Sequence, residues 1–527
     1  MTDLRPSGPY PRTGGGNDAG RLRLPRALRL RPPERHRGHA PARVRVWLAG
    51  AQVTPAALWR HHRLFTVVVL VSLAPRIIAA LGFRPALLIQ DSFPYMEQGV
   101  RLTPLSPLRP EGYPLFLRVL EPFHSLLLVT ALQHLMGIAT GVIIYALLRS
   151  RRLPTWGATL AAAPTLFDPR QIWLESSILA DTLFQFVIVV AVVLLLTRRA
   201  PRTWQTALAG LLVAWASVIR GNGAPIFVAV FIFLLIRRVG WRPLLACVAA
   251  FAIPLAGYML VFFSEYGQFT ITDSTGLFAW SRTMSFADCA VIKPPPDLRP
   301  LCRDRQAGHP AGPAPAWSLP YLLNERSPSD YLWAPDAWYR TDAHPGVNGY
   351  NNKLGEQFAI RAVEAQPLAY LKAVGEGVML TFLDTDRSSS YLSMYFSPEP
   401  HVTKLAAYQR HDENLYAHTT RNTHAVQPWA FFMFLYQSPV YFTGIAFFLV
   451  MLVGLAGVVR HWRRWGALAV LPWAVALIDL VVPIALADRG YRYAISGVPL
   501  ACLALGLAFA RRPRAAAGDG AGPPATG

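Results

Sequence analysis

Lysine is scarce in this chain of 527 residues. Four lysines stand against 47 arginines, and charged residues of all kinds make up only 15% of the sequence. Hydrophobic residues supply 53%. A chain this apolar is not an ordinary soluble protein, and it is long enough for several membrane spans.

Several motifs with known chemistry are also missing. The sequence has no CxxC pair, no HExxH segment and no glycine-rich phosphate loop. These absences give no support to dithiol redox chemistry, zinc protease chemistry or soluble nucleotide chemistry. No convincing internal repeat is found, which disfavours a transporter built from inverted repeats.

The net charge of +21 is distributed in clusters. Residues 1–63 hold thirteen arginines against three acids. Five further clusters carry three arginines each and no acid, at 149–152, 198–202, 237–242, 460–464 and 511–514. Basic clusters between apolar runs are typical of the positive-inside bias of membrane proteins. A nucleic-acid surface would be contiguous and interleaved with aromatics, so no nucleic-acid partner is predicted.

The apolar runs predict an all-α polytopic membrane protein with about ten transmembrane helices. The runs lie at about 64–82, 124–148, 154–168, 176–197, 204–220, 224–237, 243–263, 430–459, 465–486 and 491–510. With a cytoplasmic N-terminus, every arginine cluster falls on the cytoplasmic side. The prediction is therefore a multi-pass protein of the cell membrane with both termini inside. The heavy use of Arg, Ala, Pro and Gly is typical of a GC-rich genome and suggests a bacterial source.

Five segments follow from this topology. They are a disordered arginine-rich cytoplasmic tail (1–63), an N-terminal transmembrane module (64–263) with an acidic first outer loop (83–123), a mixed extracytoplasmic loop domain (264–429), C-terminal transmembrane helices (430–510) and a disordered cytoplasmic tail (511–527). Within the loop domain, 357–383 has helical periodicity interrupted at Pro367 and predicts an interfacial helix.

The four cysteines divide by location. Cys247 and Cys502 lie in predicted spans, where a thiol is ordinarily inert packing. Cys289 and Cys302 both lie in the outer loop domain, thirteen residues apart. Because that side of the membrane is oxidising, a disulfide between them is predicted.

Ionisable residues gather at the outward ends of the predicted spans. For any one of them an ion pair or a loop charge is a competing interpretation, but their convergence on one face favours a site. Carboxylates there would take a proton from a hydroxyl, and arginines would hold a lipid phosphate. The candidates are Asp91, Glu97, Asp168, Glu175, Asp181, Arg220, Arg489, Tyr491 and Arg492.

Several stretches, taken in order, resemble the superfamily of polytopic glycosyltransferases with a GT-C fold, which use polyprenyl-phosphate sugars. It includes protein mannosyltransferases, aminoarabinose transferases and actinobacterial arabinofuranosyltransferases. The stretches are IQDSFPYMEQG (89–99), RPEGYPLFLRVL (109–120) with Tyr113, LQHLMGIATGVIIYALLRSRR (132–152), WLESSILADTLFQF (173–186) and DRGYRYAISGVPL (488–500). The resemblance as a whole covers roughly 64–240 and 460–510 and does not extend into 264–429.

The resemblance implies an inverting transfer of a sugar from a polyprenyl phosphate to an extracytoplasmic glycan, lipid or protein acceptor. Asp91 would be the general base, and Tyr113 and the other boundary residues would bind substrate. Some members carry adjacent acids in the first loop, whereas Ser92 follows Asp91 here, so the role of Glu97 and any divalent cation stay open. The alternatives are a transporter or flippase of a lipid-linked or anionic substrate, and a scaffold that works through 264–429.

Overall fold

The computed structural model describes residues 55–102, 104–198, 200–303, 327–341, 343–383, 395–398, 414–416, 418, 423–462 and 468–510. The predicted C-terminal tail and all but the last nine residues of the predicted N-terminal tail lie outside these ranges.

Most described residues are helical, as the sequence predicts. We number the helices α1 (Pro55–Gly82), α2 (Ser92–Arg101), α3 (Gly112–Leu120), α4 (Leu126–Ser150), α5 (Thr155–Phe167), α6 (Pro169–Ser176), α7 (Asp181–Leu196), α8 (Thr203–Ile219), α9 (Gly223–Ile236), α10 (Trp241–Tyr266), α11 (Thr275–Thr283), α12 (Cys289–Ile292), α13 (Pro328–Leu332), α14 (Trp338–Thr341), α15 (Gly349–Ala365), α16 (Pro367–Phe382), α17 (Trp429–Gln437), α18 (Gly444–His461), α19 (Val470–Leu486), α20 (Tyr491–Ile495) and α21 (Val498–Ala508). Two short strands, β1 (Phe83–Arg84) and β2 (His424–Ala425), pair antiparallel.

Three described helices are long and apolar enough to cross a membrane by themselves. They are His62–Gly82, Leu126–Ser150 and Trp241–Tyr266. Six others are apolar but shorter: Asp181–Leu196, Thr203–Ile219, Gly223–Ile236, Gly444–Arg460, Val470–Leu486 and Val498–Ala508. A helix needs about 20 residues to cross the hydrocarbon core without tilting or flanking turns. The structure therefore supports a polytopic helical protein, while the count of ten spans stays a prediction.

One predicted run is not a single helix. The sequence predicts a continuous span over 430–459, but the structure ends α17 at Gln437 and begins α18 at Gly444. Pro439 lies in the break, where it has no N–H to donate to a helical ladder. Thr443 then caps α18 by accepting a hydrogen bond from the Ala446 N–H at 3.0 Å. The break matters because residues 439–442 line a groove described below.

The C-terminal helices pack into the N-terminal bundle. Helix α21 contacts α18 and α19, and it also packs against α4 and α5. Helix α19 packs against α9. One continuous apolar cluster therefore contains residues from both ends of the chain. This packing of the C-terminal helices brings the start of α20 next to the first outer loop.

The segment 264–429 has a hydrophobic cluster of its own among its described residues. Trp280 and Phe358 are fully buried in it, where α11 packs on α15. The helices approach so closely at Gly276 that an added Cβ would lie 2.0 Å from the Asn352 carbonyl oxygen. The predicted disulfide between Cys289 and Cys302 is confirmed, with Cα atoms 6.0 Å apart.

The helical region predicted over 357–383 is present, and its interruption is at the expected place. Helix α15 ends at Ala365, and Pro367 is the first residue of α16, where its missing N–H costs nothing. The regular secondary structure in the described part of the predicted mixed loop domain is helical apart from β2.

Candidate functional site

Main-chain pairing between two distant segments sets the position of the first outer loop. Leu87 and Ser177 form a parallel bridge, with flanking N–H···O distances of 2.9 and 3.2 Å. Asp91 follows Leu87 by four residues, and Asp181 follows Ser177 by four residues. Because the two segments run parallel, Asp91 and Asp181 both lie just beyond the C-terminal end of the paired residues.

Asp91 is held by two arginines from different parts of the chain. It precedes α2 at the N-cap position, but its side chain makes no capping hydrogen bond. Its carboxylate instead accepts hydrogen bonds from Arg109 Nη2 at 2.6 Å and from Arg492 Nη1 at 2.8 Å. The Asp91 side chain is 31% exposed, so a substrate can reach it.

Asp181 is the second acid of the group, and it is almost completely buried. As the first residue of α7, it accepts hydrogen bonds from Arg492 Nη2 at 3.1 Å and Nε at 3.3 Å. It also accepts one from Arg220, which ends α8. Arg492 therefore bridges both acids. We call Asp91, Arg109, Asp181, Arg220 and Arg492 the acid–arginine cluster.

Aromatic rings support two of these arginines. The Arg109 guanidinium lies over the Tyr95 ring at 5.7 Å, and Tyr95 meets Tyr113 edge to face at 5.1 Å. The Arg220 guanidinium lies 5.0 Å from the centre of the Tyr493 ring. Such contacts fix the direction of a long side chain at little entropic cost.

The cluster carries more positive than negative charge, because three arginines face two carboxylates. Burial by itself raises the pKa of Asp91, but Arg492 and Arg109 outweigh burial and lower it to about 2. Asp91 is therefore ionised throughout the neutral range. A surplus of guanidinium groups at a partly exposed position suits a bound anion, since arginine forks match phosphate oxygens.

Arg489 lies close by in the chain, just before α20. Its N–H donates to the Asp488 carboxylate at 2.7 Å. Its Nη1 atom is shielded from solvent and has no hydrogen-bond partner among the described residues. A buried donor without a partner is costly, and an anion beside it would remove that cost.

Three further predicted site residues are not members of the acid–arginine cluster. Glu97 is in α2 and faces Arg101 one turn later at 3.9 Å. Tyr113 is fully buried and donates to Gln133 Oε1 at 2.8 Å. Tyr491 begins α20, but its side chain is outside what the structure describes. Substrate contacts by these residues stay predictions.

Glu175 belongs to a second group of charges. It lies near the end of α6 and forms a bidentate pair with Arg76 of α1, at 2.8 and 2.9 Å. It also contacts His134 Nδ1 at 2.9 Å and accepts from Gln171 Nε2 at 3.2 Å. We call Arg76, His134, Gln171 and Glu175 the buried network.

Asp168 accepts hydrogen bonds from the main chain of two segments. It caps α6 by accepting the Arg170 N–H at 2.8 Å, and it accepts the Phe442 N–H at 3.1 Å. Arg170 donates to the Phe442 carbonyl at 2.9 Å and lies over the Tyr441 ring at 4.9 Å. These bonds tie the start of α6 to the break between α17 and α18.

Sequence reasoning did not single out Arg109 or Asp479. Arg109 opens the stretch RPEGYPLFLRVL, in a loop whose four arginines (Arg84, Arg101, Arg109 and Arg118) balance four acids (Asp91, Glu97, Glu111 and Glu121). Asp479 is a buried acid inside the apolar helix α19, and its Oδ1 has no hydrogen-bond partner among the described residues. An acid inside an otherwise apolar run was the available signal.

The residues present do not fit a divalent cation at the cluster. Both carboxylates are already bonded to guanidinium groups, which a cation would have to displace. Within the described ranges, no group of three His, Cys, Asp or Glu side chains is arranged to hold a metal ion.

No protein-family model and no curated protein sequence matches this chain. A comparison with solved structures finds an oligosaccharyltransferase of Archaeoglobus fulgidus, tethered with an acceptor peptide containing the NVT sequon. The identity is 12% and the TM-score 0.38, over 85% of this chain and 50% of that one. It also finds ArnT from Cupriavidus metallidurans bound to undecaprenyl phosphate, at 12% identity and a TM-score of 0.30, over 84% of this chain and 77% of that one.

This chain spans half the length of the oligosaccharyltransferase. Similarity at these identities and TM-scores carries nothing about activity, which must be inferred from the side chains.

Proposed function

We propose that this chain is a membrane glycosyltransferase that moves a sugar, with inversion, from a polyprenyl phosphate to an extracytoplasmic hydroxyl. The observation that supports it is the acid–arginine cluster. A partly exposed carboxylate and an excess of guanidinium groups converge at the ends of helices in an apolar bundle. That is the depth at which a lipid-linked phosphate lies.

The arginines would hold the phosphate of the donor. Arg492 is shared between Asp91 and Asp181, and Arg489 has an Nη1 atom without a partner among the described residues. A donor phosphate would bond to Arg489 and compete with Asp91 for Arg492. Guanidinium groups would then stabilise the charge that grows on the phosphate as it leaves.

Asp91 would act as the general base. A carboxylate with a pKa near 2 is a weak base, because its two arginines stabilise the ionised form. Withdrawal of Arg492 toward a donor phosphate would remove one of these partners and raise the pKa of Asp91. The base would therefore gain strength only when the donor is bound.

The reaction balances as a single displacement. The acceptor oxygen forms a bond to the anomeric carbon while the bond from that carbon to the phosphate oxygen breaks. The acceptor proton passes to an Asp91 carboxylate oxygen, and the polyprenyl phosphate leaves with the bonding electron pair. Attack opposite the leaving group inverts the anomeric centre.

The segment 264–429 contacts the same end of the bundle. The Ser329 N–H of α13 donates to the Asp488 carboxylate at 3.2 Å, and the Tyr370 hydroxyl donates to the Ala485 carbonyl at 3.1 Å. These contacts adjoin Arg489. We infer that this segment faces the acceptor side and limits access to the cluster.

The experiment is a transfer assay with synthetic polyprenyl-phosphate sugars and the purified protein in lipid. Asp91→Asn keeps the size of the side chain and removes the base, so transfer should fall by about 10²–10⁴-fold. Glu121→Gln is the control, because Glu121 lies in the same loop, faces Arg118 at 3.7 Å and is not a member of the acid–arginine cluster. Wild-type transfer by Asp91→Asn would overturn the assignment of the base.

A second function has one observation in its favour. The buried network places Arg76 and Glu175, with side chains 3% and 0% exposed, inside the helical bundle. Ionisable groups inside a membrane bundle are typical of transport pathways. If the chain is a flippase, Glu175→Gln should lose movement of labelled polyprenyl phosphate across the proteoliposome membrane, and Asp91→Asn should retain it. If the chain is a transferase, Asp91→Asn should lose sugar transfer, and folded Glu175→Gln should retain it.

A further inference from the structure

A groove of about 840 Å³ runs along α5, away from every residue of the acid–arginine cluster. Three helices supply its sides: α5, α18 and α21. Its lining is almost entirely apolar and includes Trp156, Leu160, Pro164, Val450, Leu505 and Phe509.

The size and openness of the groove suit a single hydrocarbon chain. Helix α5 has 13 residues. At about 1.5 Å per residue this is roughly 20 Å, about two thirds of a hydrocarbon core about 30 Å thick. The exposed fractions of Trp156 and Leu160, 65% and 66%, show that the groove is open along one side. In a bilayer, that side faces lipid.

The two ends of the groove differ in charge. One end begins at Leu153 and Pro154, directly after the acid-free cluster Arg149, Arg151 and Arg152. The other end reaches Asp168 beside Tyr441 and Phe442. The first end has three arginines and no acid, whereas Arg170 offsets the Asp168 carboxylate at the second end. A phosphate is therefore attracted more strongly to the first end.

The arginine end also has hydrogen-bond donors to offer. Arg149 Nη1 donates to the Leu153 carbonyl at 2.5 Å, which holds this side chain beside the groove. The Nε atoms of Arg149 and Arg151 are shielded from solvent and have no hydrogen-bond partner among the described residues. Arg152 is exposed. An anionic oxygen at this end would satisfy donors that are otherwise unpaired.

We propose that this groove binds an anionic phospholipid, with an acyl chain along α5 and the phosphate at Arg149, Arg151 and Arg152. The positive-inside bias predicts that Arg149, Arg151 and Arg152 face the cytoplasm, so the phosphate would lie in the cytoplasmic leaflet. The site is separate from the transfer site, since none of the groove's lining residues belongs to the acid–arginine cluster. The lipid would fill the space that the helices leave and hold α5, α18 and α21 together.

Native mass spectrometry of the delipidated protein, with equal amounts of phosphatidylglycerol and phosphatidylcholine, tests the site. A basic residue near an anionic headgroup is worth about five-fold in affinity. Wild type should therefore retain phosphatidylglycerol at least about five-fold better. Replacing Arg149, Arg151 and Arg152 by Gln should bring the ratio close to one. Ala163→Trp, which fills the groove, should lower retention of both lipids.

Matched controls separate the groove from the general lipid surface. Arg237, Arg238 and Arg242 form another three-arginine cluster, which is not adjacent in the chain to the groove's lining residues, and Gln at these positions should leave the ratio unchanged. Leu70→Trp changes an exposed face of α1 and should leave retention unchanged. Thermal melting in detergent confirms that each variant is folded.

Equal retention of the two lipids by wild type would overturn the proposal. So would the same loss of preference in both arginine variants. Displacement of phosphatidylglycerol by undecaprenyl phosphate, together with loss of transfer in Ala163→Trp, would assign the groove to the sugar donor instead.

Discussion

The acid–arginine cluster and the buried network use the same side chains in different ways. In the network, Arg76 and Glu175 form a bidentate pair with 3% and 0% of their side chains exposed. In the cluster, Arg492 divides its donors between two acids, and 23% of its side chain is exposed. The first group is closed and locally balanced, whereas the second is accessible and has a surplus of cations.

This difference suits the buried network to holding helices together and the acid–arginine cluster to the proposed binding of a ligand. When either member of a buried ion pair is removed, the other member remains as a buried charge without a counter-ion, which is strongly destabilising. A partly exposed cluster with spare donors can exchange one partner for another at small cost. The four predictions below exploit this contrast, in order of decreasing effect.

The largest changes in activity and stability should come from replacing one carboxylate by an amide in the acid–arginine cluster and one in the buried network. Asp91→Asn should reduce transfer by about 10²–10⁴-fold and lower the melting temperature less than Glu175→Gln does, because Asp91 is partly exposed. Glu175→Gln leaves Arg76 as an uncompensated buried charge and should lower the free energy of unfolding by about 3–5 kcal/mol. Transfer kinetics and thermal melting of both variants measure the two effects. If Asp91→Asn were the destabilised variant and Glu175→Gln the inactive one, the roles would be reversed.

The next effect concerns the space that Gly137 leaves for Glu175. A Cβ on Gly137 would lie 1.8 Å from Glu175 Oε1, and that carboxylate is fixed by Arg76, His134 and Gln171. Gly137→Ala should therefore cost about 1–3 kcal/mol, as overpacking does. Gly257→Ala is the control, because nothing lies within 4 Å of the added methyl. Equal melting temperatures for the two variants would show that Glu175 moves freely.

Much of the cluster could be predicted from the sequence because span ends on one side of a membrane share a face. Asp91, Asp181, Arg220 and Arg492 were candidates for that reason, and the structure brings their side chains together. Glu175 was a candidate on the same ground. Its contact with Arg76 depends on the short helix α6, whose packing against α4 no local pattern encodes.

The fold shows the same limit. The apolar runs predict helices well, since each helix must satisfy its own backbone in lipid. The break at Pro439 was missed because hydropathy averages over a proline. Arg109 was missed because one arginine among balanced loop charges has no distinguishing neighbours. Its contact with Asp91 depends on how the loop folds back after α2.

A smaller effect is expected at Arg489 and Arg492, the arginines proposed to bind the donor phosphate. Arg489→Lys and Arg492→Lys keep the charge but lose the forked donors, so donor affinity should fall by roughly ten-fold. Arg118→Lys is the control, since Arg118 is half exposed and faces Glu121 at 3.7 Å. Donor titration and thermal melting measure both properties. Unchanged affinity with lowered stability would mean that these arginines only hold the bundle together.

The smallest effect is a pH dependence at Glu111, which precedes α3. Burial raises the pKa of Glu111 to about 7, and the nearby Glu265 adds to the rise, although the hydrogen bond from Ser106 N–H opposes it. A carboxyl group with a raised pKa binds its proton more tightly in the folded protein than in the unfolded chain. Its contribution to stability is therefore complete at acid pH and is lost as pH rises from about 4.5 to about 7.

Glu111→Gln has no proton to lose and imitates the protonated acid. The melting temperature of wild type should fall between pH 5 and 8 by a few degrees more than that of Glu111→Gln. Glu121→Gln is the control, because Glu121 is a more exposed acid of the same loop with an arginine beside it. Its pH profile should follow wild type. Parallel profiles for wild type and Glu111→Gln would mean that Glu111 is ionised in the folded protein and that its carboxylate has found a cation.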